Sequence, residues 1–202
     1  MGRSTQEKAL ENRARIVDRA NALFRQRGVD NVSVSDVMGA CGMTVGGFYK
    51  HFDSKDALVA QACGLAFTQA LKAWDEVYEN ADTNARERNL ELVRRYINNR
   101  SPERRCPILA FAPHVATGDA AGPAVRAYQA GIHELFEKFV EGAGTEGEPP
   151  VPAASREAMA LFAAMVGARV LNQAAGNAGW VRDIEDAVIA AAASLSPKNE
   201  KP

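Results

Sequence analysis

The sequence predicts an all-α protein, in which an N-terminal three-helix helix-turn-helix domain, residues 1–53, precedes a C-terminal helical domain, residues 54–202. Two observations support this prediction. The stretch Val32–Leu58 contains three helix starts and one glycine turn within 27 residues. Elsewhere, apolar residues recur at the spacing of amphipathic helices, and the breaks between these stretches are rich in glycine and proline.

Length and composition are those of an ordinary globular protein. The chain has 202 residues, of which 47% are apolar and 24% charged. No apolar segment follows Met1, and the longest run of apolar or glycine residues, Ala158–Ala168, ends at Arg169, so we expect neither secretion nor a membrane span. The three cysteines have unrelated spacings, which favours a reducing cytoplasm over a disulfide framework. Residues 1–55 carry nine basic and six acidic side chains, whereas the remainder has a net charge of −4, so the positive charge lies with the predicted helix-turn-helix.

The first predicted helix is amphipathic. Ser4 and Glu7 match a capping box, and Gly28 ends the helix. One face carries, at helical spacing, the core residues Ile16, Val17, Ala20, Leu23 and Phe24. The opposite face carries Lys8, Arg13, Arg15 and Arg19, which either form a solvated surface or, in one or two cases, contact phosphate.

Two short helices joined by a glycine turn follow. Ser33 and Asp36 match an N-cap with an acidic third position, and this helix runs from Val34 to about Cys41, where a packed core cysteine is expected. Gly42 supplies the turn, and Thr44 is predicted to cap the second helix, with Met43 and Phe48 as a hydrophobic staple. In proteins with this arrangement, the second helix enters the major groove of DNA.

A longer set of residues resembles the N-terminal domain of the tetracycline-repressor (TetR) family over roughly Ile16–Leu58. It comprises Gly28, Ser33, Val37, Gly42, Thr44, Gly47-Phe48-Tyr49-Lys50-His51-Phe52 and Ser54-Lys55-Asp56-Ala57-Leu58. The resemblance implies a homodimeric transcriptional regulator that binds a palindromic operator in double-stranded DNA. The base-facing positions that it implies are Ser35, Val45, Gly46 and Tyr49, and the backbone-facing positions are Ser33, Thr44, Lys50, His51 and Lys55. Gly47, like Gly46, offers no base contact but lets the backbone approach DNA closely, while Phe48 and Phe52 are expected in the core.

The rest of the chain predicts further helices separated by breaks. Asp53 or Ser54 caps a long helix to about Asn80, which links sensing to DNA binding in the family. The helices that follow are predicted at 85–99, from Pro107 to near Gly118 with an interruption at Pro113, at 122–142, from Ser155, and at 181–195. Gly142, Gly144 and Gly147 match a dinucleotide fingerprint, but they follow a helix and precede Pro149-Pro150, so we reject a nucleotide site.

Aromatic residues on consecutive helices of the C-terminal domain predict an apolar cavity. The family binds small inducers within such a bundle, so we expect a hydrophobic ligand whose binding releases the protein from DNA. The predicted ligand residues are Phe67, Trp74, Tyr78, Tyr96, Phe111, His114 and Tyr128. The alternative for each aromatic residue is plain core, and His114, next to Pro113, is the best polar candidate.

The last two helices are apolar and rich in small residues. In the helix that starts at Ser155, Met159 belongs to an apolar stripe. We expect both helices to pack closely against their copies in a second chain, because this is the simplest way to bury them. The predicted dimer residues are Phe162, Ala163, Val166, Gly167, Val170, Ile184 and Val188, and the alternative is a core within one protomer.

Motifs of enzymes, metal sites and cofactor sites are absent from the sequence. His133-Glu134 lacks the second histidine of a zinc protease. Cys106 offers a different hypothesis, a sensor of oxidants or electrophiles, because two arginines precede it and a helix N-terminus follows it; the alternative is a structural helix entry. The competing functions are a small-molecule enzyme and a helical protein-binding adaptor, and we expect neither.

Overall fold

A computed structural model describes residues 2–80, 85–99, 101–142 and 152–194, and every regular element in these ranges is a helix. Side chains are described for the same residues except 2–5, 85–87, 103 and 152–155. The α-helices are α1 (Gly2–Arg27), α2 (Val34–Ala40), α3 (Lys55–Asn80), α4 (Ala85–Asn98), α5 (Pro107–Thr117), α6 (Pro123–Gly142), α7 (Pro152–Ala175) and α8 (Gly179–Ser194). Two short 3-10 helices lie at Val45–Lys50, here called the 3-10 segment, and at Pro102–Arg104.

The chain divides into two compact units. The first unit comprises Met1–Ala70 and Arg100–Ile132, and the second comprises Leu71–Asn99 and His133–Pro202. The first unit extends beyond the predicted N-terminal domain because α5 and Pro102–Arg104 pack on α1. The domain boundary predicted at residues 53 and 54 stays a prediction.

Apolar side chains of the predicted helices form the core of the first unit. Ile16, Ala20 and Phe24 of α1 are fully buried, and Phe24 meets Phe111 of α5 edge to face, with ring centroids 6.2 Å apart. Burial of large aromatic side chains supplies much of the stability of such a core. The predicted core placement is therefore confirmed for Ile16, Val17, Ala20 and Phe24, whereas Leu23 is half-buried.

Caps and turns of the first unit follow the sequence closely. The capping box of α2 is present, since the Ser33 hydroxyl accepts from the Asp36 amide and the Asp36 carboxylate accepts from the Ser33 amide. Gly28 and Gly42 have φ values of +83° and +67°, a region that disfavours other residues. Ser54 begins α3, as its hydroxyl accepts from the amide of Ala57 at 3.0 Å. The cap predicted at Ser4 lies outside the described side chains.

Three local predictions are wrong. The Thr44 side chain caps nothing, and Val45–Lys50 is a 3-10 helix of six residues; two consecutive glycines favour such a short, tight form over an α-helix. Pro113 does not interrupt α5, because the helix continues past it to Thr117. The last two helices begin earlier than predicted, at Pro152 and Gly179. Gly144, Gly147 and Leu195 lie outside the described residues.

The second unit is a bundle in which α8 packs on α7 and α4. Trp74 of α3 meets Phe139 of α6 with centroids 6.2 Å apart. Arg169 of α7 donates to the carbonyl of Asn99 at 2.6 Å and to that of Ile97 at 3.4 Å, so it satisfies carbonyls at the C-terminal end of α4. These contacts hold α3, α4, α6 and α7 within the unit.

Candidate nucleic-acid interface

The 3-10 segment is anchored by one buried aromatic residue. Phe48 is fully buried, stacks on Phe52 at a centroid distance of 5.5 Å and meets Tyr49 edge to face at 5.2 Å. With Phe48 in the core, Val45 and Tyr49 are 43% and 69% exposed. The predicted core positions of Phe48 and Phe52 are confirmed, and the segment presents its other side chains to solvent.

Most of the residues predicted to contact DNA are exposed. The exposed members are Ser33, Ser35, Thr44, Val45, Gly46, Tyr49 and Lys50, whereas Gly47, His51 and Lys55 are half-buried. Gly47 lies against the core, since a Cβ built on it would be 3.6 Å from Cε of Met38. Contact of each residue with DNA stays a prediction.

Two predicted contacts already have partners within the protein. The Ser33 hydroxyl donates to Asp36 Oδ2 at 2.5 Å, and this bond together with that of the Ser33 amide holds the pKa of Asp36 below its usual value. The Lys55 ammonium donates to the carbonyl of Val29 at 2.8 Å. An ammonium has three protons, so Lys55 keeps donors for a phosphate, whereas the single hydroxyl proton of Ser33 is in use.

Arginines of α1 lie close to the predicted DNA-binding elements. The Arg13 guanidinium is 4.2 Å from the centroid of the Phe52 ring, a cation–π contact. The carbonyl of Arg15 accepts from Sγ of Cys41 at 3.8 Å, and the charges of Arg15 and Arg19 act on that thiol. Burial nevertheless raises the pKa of Cys41, which is half-buried and not fully packed as predicted. Both interpretations of this face, a solvated surface and phosphate contact, stay open, and Arg13 is placed beside Phe52, two residues after the 3-10 segment.

The predicted ligand residues of the first unit are already well packed. Phe67 is buried against Tyr128, with centroids 5.9 Å apart, and the Tyr128 hydroxyl donates to the carbonyl of Ile108 at 2.9 Å. Nδ1 of His114 lies 2.8 Å from Asp30 Oδ1, and its Nε2 lies 3.6 Å from Asp56 Oδ1. With both ring nitrogens facing carboxylates, this conformation argues against the polar ligand contact predicted at His114.

The other three predicted ligand residues lie in the second unit. Trp74 is 7% exposed, and Tyr78 and Tyr96 are half-buried. The Tyr78 hydroxyl donates to Oδ1 of Asn89 at 2.9 Å, and burial raises the pKa of Tyr78. Asn89 is 1% exposed, and its Nδ2 has no hydrogen-bond partner among the described residues. Asn89 was not predicted from the sequence, although its place four residues before the buried Val93 on α4 was an available signal.

The predicted dimer residues divide between the protomer core and its surface. Phe162 is half-buried and packs against Phe136 and Phe139, with centroids 5.6 and 5.7 Å away. Val188 is 6% exposed and lies in the core of the protomer, which is the alternative that the sequence left open. The buried side of α7 carries Ala158, Leu161, Met165 and Ala168, and of the predicted stripe Ala163 and Val170 are exposed.

Large apolar side chains are exposed on both α7 and α8. Val170 and Met159 of α7 are 49% and 46% exposed, and Trp180 of α8, which was not predicted from the sequence, is 51% exposed. Ala163 is also exposed, Val166, Gly167 and Ile184 are half-buried, and a Cβ on Gly167 would meet no atom within 4 Å. One helix of the described part of the chain, Arg156–Ala175, is long and apolar enough to cross a membrane, with 22% of the tested window buried. A single such helix is weak evidence for a membrane span, and Arg169 within it bonds to α4.

Cys106 is the residue directly before α5, and it is half-buried. The nearby Arg25 is 8% exposed, and its guanidinium donates to two neutral acceptors, the carbonyl of Arg105 at 2.7 Å and Oε1 of Gln69 at 3.4 Å. Burial lowers the pKa of Arg25, and the charge of Cys106 opposes that decrease. Within the described residues, no group of His, Cys, Asp and Glu side chains forms a metal site.

Comparisons of sequence identify the N-terminal segment. The family model described as bacterial regulatory proteins, tetR family, matches residues 16–62. The HTH-type transcriptional regulator AcrR of Shigella flexneri is 31% identical over 96 residues, which are 48% of this chain and 38% of AcrR. The HTH-type transcriptional repressor KstR2 of Rhodococcus jostii is 40% identical over 47 residues, 23% of each chain. The matched segments thus span 38% or less of the length of these relatives.

Comparison of structures extends over nearly the whole chain. The crystal structure of a TetR-family transcriptional regulator from Cytophaga hutchinsonii aligns with a TM-score of 0.78 and 18% identity, covering 95% of this chain and 98% of that one. At this identity the likeness shows the fold alone. Residues 16–62 thus match the tetR-family model, and the chain has the fold of this solved regulator.

Proposed function

We propose that this chain is a DNA-binding transcriptional regulator, most simply a cytoplasmic repressor, that binds a palindromic operator as a homodimer. The observation that carries the proposal is the 3-10 segment, in which a buried Phe48 fixes the backbone and Val45, Tyr49 and Lys50 remain exposed. These side chains suit apolar contact with a thymine methyl group and charge contact with phosphate. The match to DNA-binding regulators over the same residues supports this function over an enzyme or an adaptor.

Homodimerisation is part of the proposal. Helix-turn-helix dimers bind half-sites about 34–36 Å apart, so two copies of the chain would each supply one reading segment. Exposed apolar side chains on α7 and α8, among them Val170 and Trp180, favour a second copy as the partner of this face. Val170→Glu should yield a monomer in sedimentation measurements, whereas Arg182→Glu, on an exposed polar position of α8, should leave the dimer intact.

DNA binding is tested by fluorescence anisotropy with the region upstream of the chain's own gene. Lys50→Ala should weaken binding and reduce the salt dependence of the affinity by about one phosphate contact. Lys72→Ala is the matched control, since Lys72 is also exposed but lies in the second unit. Equal affinity for the upstream region and for unrelated DNA at two salt concentrations would refute the proposed function.

Release by a small hydrophobic ligand completes the proposed mechanism. Trp74, Tyr78 and the buried Asn89 amide combine apolar walls with an unpaired donor, which suits a mostly apolar molecule with one acceptor. Such a ligand shifts the population away from DNA only if it prefers the other conformation by a few kcal/mol. A panel of aromatic compounds, screened by thermal shift and then for loss of DNA binding, tests this step; a compound that acts equally on Trp74→Ala does not bind at this site.

A second candidate function has specific support at Cys106. The buried positive charge of Arg25 acts on this thiol, and α5 begins at the next residue, so both favour the thiolate. The thiolate would attack an electrophile such as iodoacetamide, forming a carbon–sulfur bond as iodide leaves. In a protein with Cys41→Ser and Cys63→Ala, alkylation should weaken DNA binding, and it should have no effect when Cys106→Ser is added. Unchanged affinity of the alkylated protein would end the sensor hypothesis.

A further inference from the structure

His114 joins three segments of the first unit. It lies on α5, and its two ring nitrogens face Asp30 at 2.8 Å and Asp56 at 3.6 Å. Asp30 belongs to the turn between α1 and α2, three residues before the cap Ser33, and Asp56 lies in the first turn of α3. The partners are 84 and 58 residues away in sequence, so this arrangement exists only in the folded unit.

The contact joins one imidazole ring to two carboxylates. Carboxylate oxygens only accept, so in the 2.8 Å hydrogen bond Nδ1 of His114 donates to Asp30. The longer distance of 3.6 Å places Nε2 next to Oδ1 of Asp56. The carboxylates face different nitrogens of the ring, so the three residues do not converge on one point as metal ligands would.

Neighbouring contacts show what His114 would hold in place. The Lys55 ammonium donates to the carbonyl of Val29, next to Asp30, so the same turn is bonded from the start of α3 as well. A Cβ built on Gly122 would lie 3.5 Å from Asp56 Oδ2, which places this carboxylate against the turn that follows α5. One residue of α5 therefore contacts both the turn before α2 and the first turn of α3. These two turns flank the 3-10 segment in sequence.

We propose that His114 is a positioning residue, through which α5 fixes the turn before α2 and the start of α3. By fixing these flanks, it sets the position of the 3-10 segment, which is proposed to contact DNA. The inference rests on the proposed DNA-binding function. It adds that this function depends on the contact that α5 makes through His114. A displacement of α5 would then be transmitted directly to both flanks of the reading segment. Side-chain exposures of 22% for His114, 41% for Asp56 and 62% for Asp30 leave the contact accessible to water, so its effect is expected in local order more than in global stability.

Hydrogen exchange of the full-length protein without DNA tests the contact itself. His114→Ala should accelerate amide exchange about three- to tenfold in residues 29–36 and 54–58. Asp30→Asn should accelerate exchange in residues 29–36, and adding it to His114→Ala should change little further, because both substitutions break the same bond. The matched control is His133→Ala, since His133 pairs with Glu137 of its own helix at 3.1 Å and should leave both segments unchanged.

The affinity for the upstream DNA then tests the positioning role. His114→Ala should bind about threefold or more weakly than the wild-type protein, while His133→Ala binds as wild type. Unchanged exchange in His114→Ala, or effects of His114→Ala and Asp30→Asn that multiply, would overturn the contact, and faster exchange with unchanged DNA affinity would overturn the positioning role. A wild-type protein without preference for its upstream region would instead refute the proposed function. If His114→Ala does not fold, His114→Gln, which keeps one donor, is measured in its place.

Discussion

The close approach of α6 to α3 at Gly131 gives a sharp prediction. A Cβ built on Gly131 would overlap Cγ and Cδ2 of the Phe67 ring and lie 2.8 Å from its Cδ1. Ordinary contacts begin near 3.4 Å, so Gly131→Ala requires a displacement of more than about 1 Å. Phe67 cannot supply it by rotating its ring alone, because Cγ lies on the axis of that rotation and the side chain is 2% exposed.

The expected result is a net loss of stability. Alanine gains about 1 kcal/mol over glycine in a helix, but overpacking a rigid core costs about 1–3 kcal/mol and more when a helix must shift. Because the overlap is severe, the overpacking cost of Gly131→Ala should lie at the upper end of this range, with a net destabilisation of about 2 kcal/mol or more. For a chain of this length, that corresponds to a Tm lower by roughly 4–8 °C.

The measurement is thermal and urea denaturation of the full chain, with two comparison variants. Gly64→Ala is the matched control, since Gly64 lies on α3 in the same unit and a Cβ there would meet no atom within 4 Å. It should raise the Tm slightly. Phe67→Leu should rescue part of the loss in Gly131→Ala, because the smaller side chain vacates the space. A Tm of Gly131→Ala equal to or above that of the wild type would refute the reasoning.

Three other predictions concern the cap of α2, the C-terminal end of α4 and a buried thiol. Ser33→Ala should lower the Tm by about 2–4 °C, because it removes the side-chain acceptor and the bond to Asp36; an unchanged Tm would show that the box is not stabilising. Arg169→Ala should lower the Tm more than Arg182→Ala, and Arg169→Lys should not restore it, since an ammonium cannot reach both carbonyls. Burial raises the pKa of Cys63 from 9.0 to about 12, so the thiol stays neutral in the folded chain while the unfolded chain ionises. The free energy of unfolding should therefore fall as the pH rises from about 9 to 12, and it should fall less steeply in Cys63→Ala. Equal slopes of unfolding free energy against pH in the two proteins would contradict this prediction.

Most local signals were read correctly where one short segment contains all the partners. The capping box of Ser33 and Asp36 spans four residues, and the positive φ of Gly28 and Gly42 follows from a turn that only a few neighbouring residues define. The same holds for the buried Phe48 and Phe52. Val45–Lys50 was predicted as a helix with a cap at Thr44, but a six-residue segment with two glycines takes a 3-10 form without that cap, because intrinsic propensity is weak over so short a length.

Contacts between side chains that are distant in sequence could not be predicted from the sequence. His114 stood next to a proline and among aromatic residues, which suggested a ligand contact, yet its partners are Asp30 and Asp56. Val188 and Val170 follow the same apolar pattern, yet one lies in the protomer core and the other is half exposed. Periodicity identifies an apolar face but not what covers it.

The sequence by itself determined the all-helical class, most helix bounds, the capped start of α2 and the resemblance over Ile16–Leu58, because these depend on backbone propensity and on contacts within a few residues. Only the tertiary structure decided which side chains meet across the fold: the carboxylates at His114, the ring that Gly131 must accommodate and the apolar residues that α7 leaves exposed. The physical reason is that burial and pairing depend on distances between helices, which no local pattern specifies.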